Sequence, residues 1–373
     1  MKRDLFVFAG QSNMMGAAVY PPKKPLTITL SYEYKHKPRR LGGATGSFVP
    51  AAYPAGEFSY INLTRAYDSA MVNKNGESLL GDYAENTYFC PAMSNLYSDT
   101  DKTVHPFSVF SEATAPYGAT LAPFIAQGWE QKGYACAYAH IAKGSVALAH
   151  YLNDEMVKTY AQRIEAYNKT NATDYHTIIS AKNRTPGAAD YFLEKCKDFF
   201  SDAEISFPDN LSENRCFFWL QGESDAGLSA VEYQIRLEIL WEKLQEIGFT
   251  HFFCIRVDFF GNSSIDRIMQ GQESFVASHS NAYMLTRVAS YFPYAGRNEQ
   301  DWFLAPPTEE CLNCRDSFYG FENQHINEKG FSVIASRAVE NLDRVLNQAL
   351  PPILEDENIR SLLPQNLMEV SEE

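Results

Sequence analysis

Two spacings of apolar residues organise this chain. Leu5-Phe-Val-Phe-Ala9 is a continuous run of strand-forming residues that stops at Gly10. Similar short, largely apolar runs recur at 135–141, 215–220, 251–257 and 282–286, and the one at 215–220 reads as a strand covered on both faces. Between them the apolar positions fall at helical spacing. The pattern predicts helices over about 117–132, 154–168, 188–203, 230–247 and 264–279, with a last one from about 327 to 350. Gly133 and Gly248 stand where two of these should stop, and Asn327 is placed to cap the last. Strands alternating with helices predict an α/β fold in three layers, α/β/α, around a parallel sheet of about five strands.

Three stretches break the pattern. Residues 17–115 are rich in Pro, Gly, Tyr and Ser and too long for an ordinary connection. They read as an insertion folded over the edge of the sheet where the first strand ends. Within it Lys23, Lys24, Lys35, Lys37, Arg39 and Arg40 form a basic cluster, either a solvated loop or an attraction for an acidic sugar. Residues 287–324 form a loop dense in aromatics, including Tyr291, Phe292, Trp302, Phe303 and Phe321. Residues 351–373, with two prolines and scattered acids, read as a tail, partly disordered or draped over the surface. The expected organisation is thus a single domain over 1–350, its insertion at 17–115, and the acidic tail.

Bulk properties narrow the function classes. A net charge of −14 argues against nucleic acid and anionic membrane as broad partners. No apolar run approaches membrane-spanning length. The first strand follows Met1-Lys-Arg-Asp4 directly, which leaves no room for a signal peptide, so the expectation is a cytoplasmic chain, or a secreted one whose leader has been removed. Seven cysteines, an odd number, favour free thiols over a disulfide framework, with Cys136, Cys216 and Cys254 as small buried hydrophobes. Cys311 and Cys314 form a C-x-x-C with no second pair nearby, so zinc is not expected.

The polar residues that end the strands carry the chemistry. Ser12 follows Gly10 in a tight turn, at the carboxyl edge where α/β folds bind ligands. Its bland alternative is to cap the helix that follows. Asn13 is placed to fix the turn by bonding its own backbone. The run 215–220 leads into Gln221-Gly-Glu-Ser-Asp-Ala226, whose polar residues either face a ligand or cap the next helix. Of eight histidines, His325 stands just before the last helix, beyond the final strand. A hydroxyl nucleophile, a base and donors for an oxyanion are what acyl transfer requires.

Phe8-Ala-Gly-Gln-Ser-Asn-Met14 resembles the first block of the SGNH hydrolases. More narrowly it is similar to the branch of sialate O-acetylesterases and acetylxylan esterases (carbohydrate esterase family six). The blocks at Lys143-Gly144-Ser145 and 221–226 and the histidine at 325 follow in the family's order, from residue 4 to about 345. The resemblance implies an SGNH, flavodoxin-like fold and a serine esterase that removes O-acetyl groups from a carbohydrate, with no metal and no cofactor. It implies Ser12 as nucleophile, His325 as base, and an oxyanion hole from the backbone N–H groups of Ser12 and Gly144 with the Gln221 side chain. The family writes Asp three positions before its histidine, where this chain has Glu322. Glu322 is therefore the first choice for the acid, Glu223 the second and Asp316 a distant third. That departure also keeps open a carbohydrate-binding protein without turnover. An esterase for non-sugar acyl esters is the third reading.

Overall fold

The computed structural model describes residues 1–15, 26–36, 46–50, 121–142, 146–180, 184, 187–257, 265–294, 326 and 328–355. Strand β1 (Arg3–Gly10) runs into a single helical turn, α1 (Ser12–Met15). Strands β2 (Tyr32–His36) and β3 (Gly46–Pro50) follow, then helix α2 (Leu121–Gln131) and strand β4 (Ala135–Ala142). Next come α3 (Asp154–Asn171), α4 (Ala188–Ser206), β5 (Leu211–Leu220) and α5 (Ala230–Ile247). The described chain closes with β6 (His251–Ile255), α6 (Ile265–Ser278), β7 (Ala282–Thr286) and α7 (Glu328–Leu346).

The strands form one sheet in the order β3-β2-β4-β1-β5-β6-β7. All neighbouring pairs are parallel except β2 with β3, which is antiparallel at the edge. The parallel three-layer architecture agrees with the sequence pattern, but the sheet has seven strands rather than about five. Both additional strands come from the 17–115 stretch. Tyr32-Glu-Tyr-Lys-His36 alternates aromatic with charged residues over five positions only, too short a pattern to stand out from a loop. Tyr34 nevertheless is fully buried, its ring against Phe48 and Phe199 and its hydroxyl 2.5 Å from Asp202 Oδ2.

Strand alternation assigns the two faces. Leu5, Val7 and Ala9 of β1, with Phe217 and Trp219 of β5, face a core built with α3, α4, α5 and α6. Phe6 and Phe8, with Cys216, Phe218 and Leu220, face the opposite core, made with α2 and α7. There the Phe8 and Phe218 rings stack at 4.5 Å. Cys136, Cys196, Cys216 and Cys254 are buried free thiols, and burial pushes all four up from the ordinary thiol range.

Local chemistry sets the helix ends. Asn153 Oδ1 accepts from Met156 N to start α3, and Ser229 with Glu232 forms a reciprocal capping box on α5. Helix α3 runs three residues beyond its expected end because Ala172 takes the left-handed cap, after which Asn168 binds the departing chain at Thr173 and Tyr175.

The order of strands places a site. After β1 the chain builds β2 and β3 at one edge and returns to β4 beside β1, then crosses to β5 on the other side. The connections thus leave the carboxyl ends of β1 and β5 in opposite directions and open a crevice between them. Ser12 and the 221–226 segment stand at those two ends.

Candidate active site

Two glycines let these strand ends meet. Gly10 has φ +151°, and a Cβ there would lie 2.0 Å from the carbonyl oxygen of Leu220 on the paired strand. Gly222 has φ +154°, and its Cβ would lie 2.6 Å from Ile268 Cγ2. At Gly10 a side chain would strike the paired backbone, and at Gly222 the positive φ and the crowding by Ile268 and Val257 both favour glycine.

The turn that carries Ser12 is held from several sides. Tyr151, in a short 3₁₀ turn (Leu148–Tyr151), accepts from Gly10 N at 3.1 Å and donates to Gly10 O at 2.5 Å. His140 of β4, fully buried, places Nε2 2.6 Å from Met14 O, so that nitrogen carries the proton. Gln11 N donates to Leu220 O at 3.2 Å. Ser12 lies inside the helical turn rather than at its cap, and is 8% exposed.

Asn13 does not bond its own backbone, as its place in the turn had led us to expect. Its Oδ1 accepts from Ile326 N at 2.9 Å, and its Nδ2 donates to Glu223 Oε1 at 2.9 Å. One side chain, 1% exposed, thus links the first block to the third and to the residue that follows His325 in the chain. Glu223 begins a 3₁₀ turn (Glu223–Asp225). Its Oε2 is shut off from solvent and has no hydrogen-bond partner among the described residues. Burial raises the Glu223 carboxyl above the usual range, against the amides of Asn13 and Gln11, which lower it.

Gln221 and Asp225 turn inward. The Gln221 amide donates to Val146 O at 3.1 Å and to Asp225 Oδ2 at 2.6 Å, while its Oε1 accepts from Tyr233 OH at 2.9 Å. Both amide hydrogens are therefore spent, and none is left for an oxyanion. The side chain expected in the oxyanion hole instead fixes the end of β5. Asp225 Oδ2 also accepts from Leu148 N at 2.6 Å, and Arg236 Nη1 stands 3.8 Å from Oδ1. Burial raises this carboxyl too, although the Leu148 N–H, the Gln221 amide and Arg236 all favour its charged form. Gln272 completes the network by donating to Gln221 O and accepting from Val257 N. Val146, Leu148 and Gln272 sit far from this block in sequence, so no local motif announced them. The one visible sign was a histidine, His140, inside an otherwise apolar strand.

The structure thus brings Ser12, Asn13, Glu223 and Ile326 together at one edge of the sheet. His325, Glu322, Gly144, Asp316 and the Cys311/Cys314 pair lie outside the described residues, as do most of the aromatic loop and, except for Lys35 in β2, the basic cluster. Among the described residues, no group of three or more His, Cys, Asp or Glu is placed to hold a metal ion. Nor, among them, is any helix long and apolar enough to cross a membrane.

No family model matches this chain, and no curated protein does. Solved structures offer partial likenesses. The crystal structure of NanS shares 13% identity at a TM-score of 0.44, covering 93% of this chain and 98% of its own. The structure of XAC1771, described as a novel carbohydrate acetylesterase from Xanthomonas citri, shares 12% identity at a TM-score of 0.34. It covers 75% of this chain and 48% of its own. Likeness at that level says nothing of what this chain binds or cleaves.

Proposed function

We propose that this protein is a serine esterase that removes O-acetyl groups from a carbohydrate through an acyl-enzyme intermediate. One observation carries the reading. Asn13, next to the proposed nucleophile Ser12, is hydrogen-bonded both to Glu223 and to Ile326, the neighbour of the proposed base His325. Segments more than 200 and more than 300 residues away in sequence are thereby tied to the Ser12 turn, at the edge where α/β sheets bind ligands.

In this reading His325 takes the Ser12 proton as the hydroxyl attacks the ester carbonyl. The backbone N–H of Ser12, in the first turn of α1 and so without an intrahelical acceptor, joins that of Gly144 in holding the tetrahedral oxyanion. His325 then protonates the departing sugar hydroxyl, and water releases the acyl group by the same route. Glu322 orients the imidazole and stabilises its cation. The substrate would be an acetylated glycan such as acetylated sialic acid or xylan, its rings stacked on aromatic side chains. No metal or organic cofactor takes part in these steps.

The test is hydrolysis of a chromogenic acetyl ester. Wild type should cleave it, and Ser12→Ala and His325→Ala should each lose activity by about a thousandfold or more. A serine-directed phosphonate should label Ser12. Equal inertness of wild type and Ser12→Ala would discard the esterase in favour of a binding protein on this fold, and a label on another serine would remove Ser12 as the nucleophile.

A further inference from the structure

The two hydrogen bonds of Asn13 impose one orientation on its amide. The Ile326 N–H can only donate, so it must face Oδ1, and the Glu223 carboxylate accepts from Nδ2. An amide is close to symmetric in shape, and a turn of 180° about its last torsion would set its NH₂ against the Ile326 N–H. Steric fit does not forbid that state. The Ile326 N–H, which would then face a donor, and the Glu223 oxygen, which would then face an acceptor, together do.

We infer that Glu223 is a positioning residue: it holds the Asn13 amide so that Oδ1 accepts from Ile326 N, and through that bond it fixes the histidine-bearing segment against the Ser12 turn. This rests on the esterase reading above. It separates the two carboxylates that the sequence left in competition, giving Glu223 to the placement of Asn13 and leaving Glu322 to the imidazole. The surroundings favour a fixed post. Glu223 follows Gly222, whose backbone packs against Ile268 and Val257, and it precedes Asp225, held by Leu148 N and Gln221. A carboxylate carried on such a turn has little freedom to follow a substrate.

Exchanging donor and acceptor tests the inference. Asn13→Asp sets a carboxylate against Glu223, and should lower kcat by about a hundredfold, as an ångström of misplacement does. KM should stay within about twofold, because ground-state binding is untouched. Glu223→Gln keeps a carbonyl oxygen for Asn13 Nδ2, and should cost less than about fivefold in kcat. In the double variant the 223 amide donates to the 13 carboxylate, whose other oxygen still accepts from Ile326 N. Its kcat should return to within about fivefold of wild type. Melting temperatures of all three are measured alongside, and should not track the rates.

A double variant as slow as Asn13→Asp would overturn the inference. So would a loss near ten-thousandfold in Glu223→Gln alone, the scale expected of a triad acid. Should Asn13→Asp fail to fold, Glu223→Gln and the double variant still decide. Failure of the esterase reading looks different: wild type itself would cleave no acetyl ester, and Ser12 would take no phosphonate.

Discussion

Gly10 and Gly133 both hold a positive φ, at +151° and +89°, but only one is hemmed in. A Cβ at Gly133 would meet nothing within 4 Å, whereas at Gly10 it would strike Leu220 O. Gly133→Ala should therefore cost about 1 kcal/mol, the backbone penalty alone. Gly10→Ala must also part β1 from β5, and should cost about 3 kcal/mol or more. Urea midpoints of the two variants would check this, and similar values would remove the steric argument. Glu223 offers a second test at this scale. Its carboxyl is raised in the folded protein, chiefly by burial, so folding favours its neutral form. That contribution is fully present below the unfolded value near 4.5, and is lost as pH rises through the higher folded value. Glutamine never ionises, so Glu223→Gln should match wild type in acid and melt progressively higher than it above that window. Parallel melting curves for the two proteins from pH 4 to pH 8 would contradict the assignment.

At the scale of elements, the short 3₁₀ turn at Leu148–Tyr151 holds the end of β1 through one hydroxyl. Tyr151→Phe would keep the ring against Phe192 and Trp219 but leave Gly10 N and Gly10 O without that buried partner. A loss of about 1–3 kcal/mol is expected, read as a shift in the urea midpoint, with acetyl-ester turnover falling as the Ser12 turn loosens. A wild-type midpoint would mean that the hydroxyl is incidental. This clamp also marks where reading the sequence stopped. Strands β1, β4, β5, β6 and β7 and the long helices were legible, because each carries its own period and its own stop, as Gly248 and the capping box at Ser229 do for α5. Strands β2 and β3 were not, because each is only five residues long, β2 with charges inside it and the edge strand β3 with Gly and Pro at its ends, and both look like loop. The site divides in the same way. Ser12 and the 221–226 block announced themselves at strand ends, and topology then set them side by side. The inward turn of Gln221 was hidden, since it depends on Tyr233, Val146 and Asp225 closing around one amide. The bridge from Asn13 to Ile326 spans 313 positions and leaves no local trace.

The whole molecule closes with a segment that composition alone assigned to a tail. Residues 351–355 are bound to the end of the sheet and to α7. Glu355 accepts from Thr286 Oγ1 at 2.6 Å and from Arg287 N at 2.7 Å, while Ile353 exchanges two hydrogen bonds with the buried Asn341. Arg344 Nε donates to Pro351 O at 2.9 Å. Asn341 also donates to Leu285 O in β7, so the segment completes a polar contact that pins α7 to the sheet. Ending the chain at residue 350 would leave Asn341 Oδ1 and the Arg287 N–H without these partners, and the helix that follows Ile326 less firmly seated. Truncation should lower unfolding free energy by about 2–4 kcal/mol, from the bonds lost and the buried groups exposed. Truncation after residue 355 should cost much less, because it keeps every one of these bonds. Turnover per folded molecule should survive the 350 cut at low temperature and fail early on warming, since the loss falls on the seating of α7 and not on the Ser12 turn. Equal urea midpoints for the two truncations would show that residues 351–355 add nothing to the fold.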